Sequence, residues 1–81
     1  MRMVWVLLLR IEYAWEVPDQ PNLVSEETEV EIYATCEQAE ARRKNMPAIE
    51  HHYKAQAGEG CIQAEVIECG IVPRGIVEAD Q

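Results

Sequence analysis

Alternate positions near the start of this chain are apolar without a break: Met3, Trp5, Leu7, Leu9, Ile11, Tyr13 and Trp15. Side chains on a β-strand point to opposite faces in turn, so residues 3–16 read as one long strand with a continuous apolar face. The intervening positions begin apolar at Val4, Val6 and Leu8 and turn polar at Arg10, Glu12 and Glu16. The first half therefore needs cover on both faces, as a central strand does, while the second half has one wet face. Such a strand extends roughly 40 Å, and the rest of the chain must cover it.

There is little chain to do so. Eighty-one residues give one core, and residues 1–81 read as a single domain. Hydrophobic residues make up 48% and charged residues 27%, which places the chain among globular sequences. There is no Phe, so the core rests on Val, Ile, Leu, Ala and two Trp. Arg2 before the apolar run raises the question of a secretory leader. The run is at the lower limit for one, and Arg10 and Glu12 end it without a small-residue cleavage site. It is also too short to cross a bilayer.

Residues 17–28 hold Pro18, Asp19, Pro21 and Asn22 and read as a long loop of turn formers. Residues 29–34 alternate again, with Val30, Ile32 and Ala34 on one face and Glu29, Glu31 and Tyr33 on the other. Thr35 stands three residues before Gln38, the spacing of a capping box, and opens a helix. Glu37 and Glu40 fall early in it and Arg42, Arg43 and Lys44 late, an order that complements the helix dipole. Pro47 stops or kinks this helix. Met46, Ile49, Tyr53 and Ala57 keep helical spacing and predict a second short helix, ended by Gly58 and Gly60. Residues 61–69 alternate as a third strand, with Ile62, Ala64 and Val66 on one face. Residues 71–81 read as an irregular tail or a short edge strand because of Pro73 and Gly75. The expected fold is α+β: a small two-layer sandwich, β-β-α-(α)-β, with a three- to four-stranded antiparallel sheet and one or two helices on one face. One helix of eleven residues spans roughly 16 Å, so either the second helix covers the remaining apolar stripe or the Tyr13/Trp15 end is left for a partner or a second copy.

Candidate chemistry is sparse. Cys36, Cys61 and Cys69 form no CxxC pair, and an odd count of three suits a reducing cytoplasm better than a disulfide framework. With His51 and His52 they could suggest a metal. Adjacent histidines, however, lie about 100° apart on a helix, and Cys61 and Cys69 on one strand would be separated by roughly 26 Å. Cys36 at a helix start, with a histidine as base, would be a minimal nucleophile, but no oxyanion-hole motif accompanies it. Gly58-Glu59-Gly60 puts a carboxylate where a phosphate would lie. No enzyme, cofactor or metal is expected.

Charge is the remaining signal. The net charge is −8, split as −7 over residues 1–41, +3 over 42–54 and −4 over 55–81. Such a chain repels nucleic acid and anionic membrane, whose binding needs Lys and Arg, but it suits a basic protein surface. Glu26, Glu27, Glu29 and Glu31 follow the loop, and Tyr13, Trp15 and Tyr33 are expected on neighbouring strands. Aromatic anchors ringed by charge are an arrangement interfaces use, so these seven residues are the expected partner-binding set.

The run IYATCEQAEAR, from Ile32 to Arg42, resembles a strand-to-capped-helix pattern found in very small phage and mobile-element proteins, over roughly residues 29–45. In size, acidity and lack of catalytic groups the chain is similar to anti-CRISPR proteins. That resemblance implies a cytoplasmic inhibitor, a DNA mimic in effect, which occupies a basic nucleic-acid-binding surface on a host effector. The alternative is a structural protein that self-associates, as a homodimer or larger assembly, through its sheet.

Overall fold

The computed structural model describes residues 2–77. Its order is β1 (Arg2–Trp15), β2 (Leu23–Tyr33), α1 (Cys36–Lys44), α2 (Met46–Ala57) and β3 (Cys61–Ile76). The three strands form one antiparallel sheet in the order β2-β1-β3, with both helices in the connection from β2 to β3. This is the expected α+β arrangement, and β1 is the central strand that its two-sided apolar start required.

β1 and β2 form a long hairpin from Trp5 opposite Tyr33 to Trp15 opposite Leu23. Residues 23–28, expected in the loop, belong to β2. The connection shrinks to residues 16–22, where Gln20 N–H donates to the Val17 carbonyl at 3.3 Å and Asp19 takes a positive φ of 63°. A Pro-Asp pair closing a tight turn needs no long loop. The strand pattern of Ser25, Glu27 and Glu29 was masked by its lack of apolar residues.

One core fills the space between sheet and helices. Leu7, Leu9 and Ile11 of β1 and Ile49 of α2 are fully buried, with Tyr13, Tyr53, Cys61 and Ala64 beside them. Burying each such aliphatic side chain contributes roughly 1.5–3 kcal/mol. The β1 members face Ile71, Cys69, Val66, Ala64 and Cys61 across the β1–β3 ladder. Register shifts between Arg10 and Ile11 and between Ala14 and Trp15 reset the alternation on β3. Cys61, Ala64 and Val66 therefore face the core, whereas Ile62, expected with them, is turned out. β3 continues through the expected tail to Ile76 as the same strand. Pro73 fits there because an edge strand directs alternate N–H groups away from its neighbour. Residues 78–81 of that tail lie outside the described residues.

Asn45 closes α1 and opens α2, and Pro47 sits in the first turn of α2. Pro47 thus separates two helices, its missing N–H costing nothing at a helix start. The helix-covered face of the sheet is then divided. Its β1–β3 half is apolar and packed under α2, while its β2 half carries Ser25, Glu27, Glu29, Glu31 and Tyr33. Among the described residues, no second layer covers the opposite face. It exposes Leu8 (37%), Val30 (52%) and Ile32 (63%) around Val6.

Candidate functional site

The acidic residues of β2 do not form one cluster. Alternation sends Glu26 to the open face, where the Arg10 side chain bonds it and reaches Glu68 of β3 at 2.7 Å. Glu27, Glu29 and Glu31 face the helices, and each meets a different environment.

Glu31 is taken into the structure. Arg42 of α1 donates to both its oxygens at 2.9 and 3.1 Å, and the hydroxyls of Tyr33 and Tyr53 each donate at 2.6 Å. Burial by itself would raise the pKa of Glu31, but these donors outweigh it and hold the carboxyl at about 2. The same contact, after burial, pushes the Tyr53 and Tyr33 phenols up. Glu31 thus joins β2, α1 and α2, and Tyr33 is engaged with it.

Glu27 and Glu29 are left over. They lie on the helix-covered face opposite Ile11 and Leu9, but α2 packs over β3 and leaves this half of the sheet open. The result is a cleft of about 400 Å³ lined by Tyr13, Trp15, Glu27, Glu29, Tyr53, Gln56 and Ala57. Among the described residues, neither carboxylate meets a cation. Burial raises the Tyr13 pKa, and Glu29 and Glu27 raise it further, as expected for a phenol beside two uncompensated charges. Of the seven expected residues, the cleft brings together Tyr13, Trp15, Glu27 and Glu29; Glu26, Glu31 and Tyr33 are committed elsewhere. Sequence reasoning missed Tyr53 and Gln56, which the spacing of Tyr53 and Ala57 on one face of α2 could have brought to this end of the sheet.

The cysteines and histidines are scattered. Cys36 begins α1, half-buried. Cys69 is half-buried in the sheet, and burial raises its thiol pKa. Cys61 is buried, with its thiol directed to the Gln63 carbonyl at 3.4 Å. It borders an open depression with His51, Lys54, Ala55 and Gly58, and His52 stacks edge-on against Tyr53. No group of three or more His, Cys, Asp or Glu side chains could hold a metal ion among the described residues, and no described helix is long and apolar enough to cross a membrane.

No family model, curated protein or solved structure matches this chain.

Proposed function

We propose that this chain acts by binding another protein, docking its acidic β2 face onto a basic surface of the kind that otherwise holds nucleic acid, and so inhibiting it without catalysis. The observation that carries this is the uneven treatment of its carboxylates. Glu26, Glu31, Glu40 and Glu68 each meet an arginine, and Glu50 accepts the Val66 N–H at 2.9 Å. Among the described residues Glu27 and Glu29 meet no cation, as is also true of Glu12, Glu16, Asp19, Glu37, Glu59 and Glu65, but Glu27 and Glu29 line the cleft together with Tyr13, Trp15 and Tyr53. Charge left unpaired next to aromatic surface serves association, since it steers an oppositely charged partner and anchors it. Free cysteines suit a reducing host cytoplasm. The similarity to anti-CRISPR proteins in size, acidity and lack of catalytic groups makes CRISPR effectors the first targets to try.

The test is displacement. Added to a panel of such effectors at low salt, the chain should release bound DNA from its target, and the Glu27→Lys/Glu29→Lys variant should not. If DNA stays bound throughout the panel, or both proteins release it equally, the reading fails.

A second reading, self-association, is favoured by the open face around Leu8, Val30 and Ile32. Pairing of β2 edges is disfavoured, because four glutamates on that strand would oppose their own copies.

A further inference from the structure

The cleft beside β2 restricts what the partner can insert. Tyr13 and Tyr53 are buried against the core, and Trp15 stands next to Tyr13 with ring centroids 6.1 Å apart and planes inclined by 39°. The Trp15 indole N–H donates to Ser25 Oγ at 2.8 Å, so the ring is oriented before anything binds. Tyr13 is only 4% exposed, yet its hydroxyl makes no hydrogen bond among the described residues. No fully buried side-chain polar atom is left unpaired there, so this hydroxyl must be the part of Tyr13 that opens into the cleft. It is an unused donor and acceptor. Tyr53 differs, since its hydroxyl is engaged by Glu31.

An aliphatic side chain placed here would leave the hydroxyl and both carboxylates unpaired and dehydrated. A carboxylate or phosphate would be repelled. An ammonium offers three donors from a strongly hydrated point, whereas a guanidinium has a flat face that stacks on aromatic rings and five donors in a fixed fork. Two carboxylates, a phenol hydroxyl and aromatic rings lining one cleft match the second description.

We propose that the cleft receives one arginine side chain of the partner protein, its guanidinium against Trp15 and donating to Glu27, Glu29 and the Tyr13 hydroxyl. This rests on the docking reading above and narrows it from a basic surface to a single side chain.

The probe is a blocked Gly-Arg-Gly peptide titrated into the intact chain, followed by the NMR signal of the Trp15 indole N–H. The expected result is a saturable shift. The same peptide with citrulline, which keeps the shape and loses the charge, should give none, and the lysine peptide should bind about fivefold more weakly. Tyr13→Phe keeps the packing, because the hydroxyl has no internal partner, and should weaken binding about threefold. Glu27→Gln/Glu29→Gln should weaken it about tenfold or more. A citrulline response equal to that of arginine, or a response indifferent to both glutamates, overturns the proposal. If arginine leaves Trp15 unmoved while Glu27→Lys/Glu29→Lys still abolishes DNA displacement, the cleft assignment falls and the wider docking reading stands.

Discussion

Glu31 has become a structural contact, and its protonation should govern how the protein responds to acid. A carboxyl held at about 2 in the folded chain, against 4.5 ordinarily, favours folding wherever it is ionised. Its contribution is complete above pH 4.5 and is lost as pH falls from there towards 2. Urea unfolding across that range should show stability declining with acid. Glu31→Gln should flatten the decline and cost about 2 kcal/mol at neutral pH, because Arg42 would be left half-buried without its charge partner. A variant with an acid limb parallel to that of the parent would assign the decline to other groups. This contact was hidden in the sequence. The alternation correctly put Glu29, Glu31 and Tyr33 on one face, and the order of charges correctly put Arg42 late in its helix. Residues 11 and 22 positions apart meet only through the turn of the chain, and nothing local says that the charged face of β2 is the one that faces the helices.

At the scale of elements, local signals gave reliable readings where the chain interacts with itself over a few residues. The Thr35 hydroxyl accepts from Gln38 N–H at 3.2 Å, and the Gln38 side chain accepts in return from Thr35 N–H at 3.2 Å. Thr35→Ala should therefore cost about 1 kcal/mol, measured as a lower denaturant midpoint with an unchanged slope. A change in slope instead would mean that the helix start affects more than its own cap. Pro47 left open a kink or a stop until the structure showed two helices, whereas the central position of β1 was legible in its two-sided apolar start. The phase of β3 was not, because a bulge inserts one residue without a composition mark and reverses which side chains face inward; Cys61 took the place that simple alternation gave to Ile62. The length of β2 was concealed because its helix-facing positions Ser25, Glu27, Glu29 and Glu31 are all polar. The pairing of Glu27 and Glu29 with Tyr53 required knowing that α2 lies over β3 and leaves β2 open.

The whole molecule is extended for its length. Its radius of gyration is 15.7 Å and its extents are 54 × 30 × 17 Å, against roughly 12 Å for a compact chain of this size. Two short helices cannot cover strands of this length, so much of the sheet stays at the surface and two regions remain available for partners. They are separable by experiment. The docking reading predicts a concentration-independent monomer in sedimentation. A mass that doubles with concentration and returns to that of one chain in Ile32→Lys would favour self-association through the open face instead. The sequence left two outcomes open, cover of the apolar stripe by the second helix or a bare Tyr13/Trp15 end; in the structure Tyr13 is buried, while exposed aliphatic residues include Leu23 and Val24 at that end and Leu8, Val30 and Ile32 on the open face.

The account depends most on the two carboxylates of the aromatic cleft, Glu27 and Glu29, which meet no cation among the described residues. The direct measurement is the salt dependence of affinity for the displaced effector, compared between the parent chain and Glu27→Gln/Glu29→Gln, with Glu26→Gln/Glu68→Gln as the open-face control. The cleft variant should bind about tenfold more weakly at low salt with a shallower dependence on ionic strength, while the control stays within about twofold. Equal affinity and slope in the cleft variant, or a larger loss in the control, would contradict the account.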